Sequence, residues 1–199
     1  MIQAPVWAPL GALAAMAAST GCLAGLMALR DGVKAIVVPQ GDDAHAYVGR
    51  VVKYSILAGV VFCIAYAVRP SITAHLGPLD WFASPAAAWT GVALLAMGAA
   101  VVVIAQIGMG ASWRVGIDSE HRTGLVTQGL YRFSRNPIYV GMFMVLAGVF
   151  LEAPNAVTLA LLLTLGVTVS TQVRLEEDYL SRMHGAAYAA YRTSARRWI

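Results

Sequence analysis

The chain has 199 residues, of which 59% are hydrophobic and only 12% charged, and its mean hydropathy is +0.67. A soluble domain carries about twice that charged fraction, so a water-soluble globular fold is excluded. The net charge of +4 and isoelectric point near 9.3 are accounted for by membrane topology and attraction to anionic headgroups, which leaves no case for nucleic-acid binding.

Five apolar blocks predict an all-α integral membrane protein, a single membrane domain over residues 1–199, with spans at about 10–29, 51–68, 87–107, 137–152 and 156–173. Crossing about 30 Å of hydrocarbon takes about 20 helical residues. The first, third and fifth blocks meet that length. The second needs Lys53 to reach the interface with its long stem, and the fourth needs tilt, local thinning or burial among neighbours. Within the first span Gly21 and Gly25 have the G-x-x-x-G spacing that lets helices approach closely. Contact inside the bundle is expected there, with a homodimer seam as the alternative. Ser19 to Cys22 faintly matches a lipoprotein cleavage site, but no basic segment precedes it and the span is expected to be retained.

In the first loop Gly41-Asp42-Asp43-Ala44-His45 reads as a solvated turn, because nothing completes a metal shell around its two acids and histidine. Cys22 and Cys63 fall inside apolar spans, so neither a disulfide framework nor a metal site is expected. The second loop, about 69–84, carries Pro70, Gly77, Pro78 and Trp81 and reads as an interfacial turn.

Charge tests the span count. Arg69 alone falls in the second loop; the other thirteen of the fourteen Lys and Arg residues fall in loops one and three and the C-terminal tail, which share a side. Basic loops stay cytoplasmic. The expected topology is therefore N-terminus out and C-terminus in, across the inner (plasma) membrane of a bacterium.

After Ile107 the chain becomes polar and rich in glycine and arginine. Asn136-Pro137 then predicts a helix start, with Asn as N-cap and Pro in the first helical position. Ala153-Pro154-Asn155 predicts a tight reversal, and the following span is expected to continue as an amphipathic helix toward Ala190, interrupted at Gly185. Antiparallel arms bring Tyr131, Arg132, Arg135, Asn136 and Tyr139 close to Arg174, Glu176, Glu177 and Asp178, followed by Tyr188 and Tyr191. Arg174 is spaced to bridge Glu177 or Asp178 along the helix. Read by composition alone, these groups cap helices and hold topology, Glu176 is solvated, and the tyrosines are interfacial anchors or site residues with equal weight.

Their order says more. Leu125-Val126-Thr127-Gln128-Gly129-Leu130-Tyr131 followed by Arg135-Asn136-Pro137-Ile138-Tyr139-Val140-Gly141 resembles the stretch "LVT-x-G-x-Y…R-H-P-x-Y-x-G" of isoprenylcysteine carboxyl methyltransferases, which group with the phospholipid N-methyltransferases. Glu176-Glu177-x-x-Leu180-x-x-x-His184-Gly185-x-x-Tyr188-x-x-Tyr191 is similar to that family's "EE-x-x-L-x-x-x-F-G-x-x-Y-x-x-Y". The resemblance covers about residues 108–192.

The resemblance implies S-adenosylmethionine-dependent methyl transfer to a lipophilic acceptor, with the cofactor held by about residues 108–199. Carried over by position, Thr123, Gly124, Leu125, Val126, Tyr131, Asn136, Pro137, Ile138, Tyr139, Glu177, Tyr188 and Tyr191 contact the cofactor, and Arg174 and Glu177 act at the reacting centre. The roles suit the chemistry: N–H groups at the helix start accept an anion, Glu177 suits ribose hydroxyls or an ammonium, and tyrosine faces suit adenine or cationic sulfur. Isoprenylcysteine-type carboxyl methylation is favoured, with a phospholipid amine or a small thiol as other acceptors. A membrane reductase and a non-catalytic scaffold are the rival classes, the former disfavoured by the lack of a glycine-rich dinucleotide loop. Asn136 stands where the prenylcysteine enzymes have His, and it cannot serve as an acid or base near neutral pH. His184 stands where the family has Phe, with no role implied.

Overall fold

The structure, a computed structural model, describes residues 4–31, 44–110 and 124–199. Gly41, Asp42, Asp43 and Thr123 lie outside the described residues. Among the described residues six α-helices follow in order: α1 (Ala8–Asp31), α2 (Ala44–Val68), α3 (Pro85–Met109), α4 (Pro137–Glu152), α5 (Ala156–His184) and α6 (Ala186–Ser194). Among the described residues there is no β-strand. Helices α1, α2, α3 and α5 are long and apolar enough to cross a membrane, which makes this an all-α integral membrane protein. Helix α2 begins at Ala44 and so reaches 25 residues, longer than its apolar block suggested. Helix α4 has 16 residues, about 24 Å at 1.5 Å per residue, short of the hydrocarbon thickness.

Packing against α3 supports the short helix. Gly91 and Gly98 on α3 meet Gly148 and Gly141 on α4 in two reciprocal pairs. A Cβ built on Gly98 would lie 2.7 Å from the Gly141 carbonyl oxygen, and one on Gly91 2.7 Å from that of Gly148. Only hydrogen fits there. Lipid tails are as apolar as leucine, so close van der Waals approach has to supply the association. Leu95, Val102, Val145 and Val149 are buried beside these pairs.

The G-x-x-x-G of α1 behaves differently from expectation. Gly21 and Gly25 are exposed, and a Cβ on either would meet nothing within 4 Å. Bundle contact is made instead through hydrogen bonds: Ser19 Oγ donates to Gln106 Oε1 at 2.6 Å, and Gln106 Nε2 donates to Thr20 Oγ1 at 2.9 Å. Gln106 is buried on α3, where a polar side chain needs such partners.

At the reversal between α4 and α5, Asn155 is fully buried and forms a capping box. Its Oδ1 accepts from the amides of Val157 and Thr158, and its own amide donates to Thr158 Oγ1. Leu79 N donates to Pro154 O and Ala156 N to Gly77 O, seating the preceding loop on the turn. Helix α5 runs 29 residues, well past its apolar part, and stops where Gly185 adopts a φ of +51°, a region that favours glycine. The expected interruption is at that residue.

The reciprocal glycine contacts have a direct test. Replacing Gly98 with Val drives a branched side chain into the α4 backbone and is expected to cost about 1–3 kcal/mol or more, read as a lowered melting temperature in detergent. Gly21→Val should leave melting unchanged. Equal melting of both variants would refute the close approach.

Candidate active site

Polar groups gather where the start of α4, the polar end of α5, α6 and residues 195–198 meet. Glu177 is their centre. Its carboxylate is buried, and both oxygens carry guanidinium groups: Arg135 Nε and Nη2 donate to Oε1 at 3.1 and 3.0 Å, and Arg197 Nε and Nη2 donate to Oε2 at 3.0 and 2.8 Å. A charge taken out of water is tolerable only when paired and hydrogen-bonded, and paired two-point contacts with arginine are the strongest form available.

The same arginine holds the last residues of the fold. Arg135 Nη1 donates to Ala195 O at 2.6 Å, and the Arg135 amide donates to Arg196 O at 2.8 Å. Asn136 occupies the N-cap position of α4 but does not cap it. Its Nδ2 donates instead to Arg197 O at 3.0 Å and reaches Glu177 Oε1 at 3.5 Å, while its amide donates to Ser134 Oγ. The local sequence signal for a helix start is correct in place, but the side chain serves a tertiary contact.

Tyr188 and Tyr191 form a buried wall with Ala195, against which Leu125 and Leu180 pack. The interfacial-anchor reading of these tyrosines fails. Tyr191 Oη donates to Tyr131 O at 2.6 Å, tying α6 to the turn before α4. Burial, and then the neighbouring Tyr188, push the Tyr191 phenol up to about 12. Tyr131 is raised by burial first and then by Tyr191 and Glu176; Tyr188 is raised by burial and by the charge of Glu177. Arg197 is raised by its hydrogen bonds to Glu177. All three phenols therefore stay neutral near pH 7 and act as hydrogen-bond donors or π surfaces.

Glu176, one residue away, has a different environment. Tyr139 Oη donates to its Oε1 at 2.6 Å and Gln172 Nε2 donates to the same oxygen at 2.9 Å. Tyr131 and His45 lie near enough to feel its charge. The expectation of a solvated Glu176 is thus corrected, because α2 and α4 cover it. The Tyr131 hydroxyl is buried and, among the described residues, has no hydrogen-bond partner.

Arg174 is exposed, and among the described residues it bridges neither Glu177 nor Asp178; Arg135 and Arg197 take Glu177 instead. Gly124 is exposed, Val126 half-buried, Pro137 buried, and Ile138 packs against Met27 of α1. The structure therefore brings together Leu125, Tyr131, Asn136, Tyr139, Glu177, Tyr188 and Tyr191, and leaves Arg174 at the rim. Arg135 was visible as a motif residue. Arg197 was not, since one arginine in a basic tail carries no local mark.

The fold and the site together define an all-α membrane protein with a buried, tyrosine-walled polar cluster at one end of its helical bundle. The family model for phospholipid methyltransferase matches residues 86–187, just over half of the chain. The chain belongs to that family, part of the isoprenylcysteine and phospholipid membrane methyltransferase group, and is a membrane methyltransferase. No curated protein matches it. The match includes the α3–α4 contact and stops before Tyr188 and Arg197.

Removing the central carboxylate tests the clamp. Glu177→Ala leaves two guanidiniums without their partner, at a cost of about 2–3 kcal/mol given that Arg197 remains partly hydrated. Trypsin should then cut at Arg192, Arg196 or Arg197 several times faster than in the parent protein, followed by mass spectrometry. Unchanged cleavage would mean that the clamp does not hold the segment.

Proposed function

We propose that the chain transfers a methyl group from S-adenosylmethionine to a lipophilic acceptor at the cytoplasmic surface of the membrane. One juxtaposition carries the reading. The polar cluster adjoins an apolar groove of about 470 Å³ lined by Leu94, Val140, Phe143, Met144, Ser170 and Trp198. Val140 lies one helical turn beyond Asn136 on the same face of α4, and Trp198 follows Arg197, which supports a water-soluble cofactor and an acyl or prenyl chain meeting here from opposite solvents.

The residues present fit the cofactor. A buried phenol with an unused hydrogen bond costs about 1–3 kcal/mol, and Tyr131 Oη is such a group. Tyrosine rings suit adenine and the sulfonium, and Glu176 suits a cation. Bound S-adenosylmethionine supplies an electrophilic methyl on a positively charged sulfur. The protein's share is alignment, because an in-line displacement gains most from holding donor and acceptor at reacting distance. Tyr131, Tyr139, Leu125, Val126 and Thr123 are assigned to the cofactor. Tyr188 and Tyr191 wall the site, and Arg174 stands at the acceptor's rim. Glu177, with both oxygens engaged, is assigned a positioning role: it fixes Arg135, Asn136 and the 195–198 segment around the site. Carboxyl methylation of the isoprenylcysteine type is the acceptor chemistry favoured by the motif order, and amine or thiol acceptors would additionally have to lose a proton.

Membranes containing the protein, incubated with methyl-labelled S-adenosylmethionine, should incorporate label into lipid. Volatile methanol after mild alkali identifies a methyl ester, and label that stays with the lipid identifies N-methylation. Absence of both incorporation and saturable cofactor binding by calorimetry would overturn the reading.

A further inference from the structure

The end of α4 away from the polar cluster carries another buried carboxylate. Glu152 is 7% exposed, and among the described residues neither of its carboxylate oxygens has a hydrogen-bond partner. Val149 and Ala153, on either side of it in the chain, belong to an apolar core with Cys63 and Tyr66 of α2, and the charge of Glu152 reaches both of these α2 side chains. Neither one satisfies it. Tyr66 Oη donates to the backbone carbonyl of Glu152 at 3.5 Å, not to the carboxylate, and a thiol is a weak donor. From α3, Gly91 presents only backbone, so close that an added Cβ would lie 3.3 Å from Glu152 Cβ. Arg69, the one Lys or Arg of the adjoining 69–84 loop, is exposed and donates to Ser71 Oγ. An unpaired carboxylate taken out of water is among the costliest groups a fold can carry, so it draws a cation from outside the chain.

We propose that Glu152 binds a primary ammonium at this end of the bundle, and that the ethanolamine headgroup of a membrane lipid supplies it. A metal ion fits poorly, because among the described residues no three His, Cys, Asp or Glu side chains gather to hold one. A primary ammonium has N–H donors for both empty carboxylate oxygens and for the phenol oxygen of Tyr66, and the Tyr66 ring, stacked on Phe62 with centroids 5.9 Å apart, adds aromatic surface. Depth points to the source. Phe82 packs edge-on against Phe150, two residues before Glu152, and its neighbour Trp81 is exposed; exposed aromatic residues at the end of a membrane helix mark the headgroup level. The site is separate from methyl transfer and does not rest on that reading, because the 16 residues of α4, a helix about 24 Å long, stand between Glu152 and the polar cluster. A free small amine presents the same chemistry as the headgroup, and melting measurements separate the two.

The full chain in detergent is melted with added short-chain phosphatidylethanolamine or with phosphatidylcholine of the same acyl chains. The two headgroups carry equal net charge, but the quaternary ammonium has no N–H to donate. Phosphatidylethanolamine is expected to raise the melting temperature above that in phosphatidylcholine by about 3–6 °C at roughly tenfold its dissociation constant. Glu152→Gln keeps the shape of the side chain and removes its charge, and the difference between the lipids should vanish in that variant. Free ethanolamine against choline is the second pair of probes. A shift with ethanolamine alone, lost in Glu152→Gln, keeps the ammonium site and overturns its lipid source. Equal melting of the wild-type protein within both pairs overturns the proposal without recourse to any variant. So does a difference between the lipids that Glu152→Gln retains, since the amine would then be bound elsewhere.

Discussion

A carboxylate buried at the end of a membrane helix has to be neutralised within the protein, and the architecture at this end of the bundle depends on how Glu177 meets that requirement. Two guanidiniums, from residues far apart in sequence, converge on its two oxygens. Arg135 belongs to the turn leading into α4, and Arg197 follows α6. Because each also holds or carries backbone that pairs with the other's segment, one ionic contact sets the relative placement of α4, α5 and the end of the fold. A charge that merely sat in water would exert no such control, since exposed ion pairs contribute little.

The second constraint is steric. Helix α4 is too short to cross the hydrocarbon comfortably and carries Glu152, whose side chain is buried at its far end. Its glycines let the α3 backbone approach until carbonyl oxygens stand where side chains would be. This lies inside the matched family region. The tight α3–α4 pair gives one wall of the apolar groove, through Leu94, Val140, Phe143 and Met144, and α5 contributes Ser170 to it. Small residues where precision matters and long apolar ones where lipid is the neighbour is the division expected when association rests on packing rather than on the hydrophobic effect.

These constraints separate the roles of adjacent residues. Positions 176 and 177 are about 100° apart on a helix, so they face different neighbours. Glu177 turns toward the two arginines and Glu176 toward Tyr139 and Gln172. One carboxylate is thus engaged in architecture by two arginines, while the other stays among neutral donors.

Residues and spacing alone determined the class of this protein: the apolar blocks demanded membrane helices, and the order of the polar residues from Leu125 to Tyr191 marked the methyltransferase family. They also located the helix start at Asn136 and the break at Gly185, because proline and glycine act through local backbone geometry. Tertiary structure decided the rest. Which glycines pack depends on what lies opposite, so the G-x-x-x-G at Gly21 and Gly25 faces outward while four glycines spaced by seven make the closest contact. Which acid is spent depends on partners distant in sequence, so Arg197 left no local signature and Asn136 abandoned its cap for a contact across the fold. Local signals survive in a sequence because they are made by neighbours along the chain; the clamp and the glycine contacts are made by neighbours in space, and only the folded bundle brings those together.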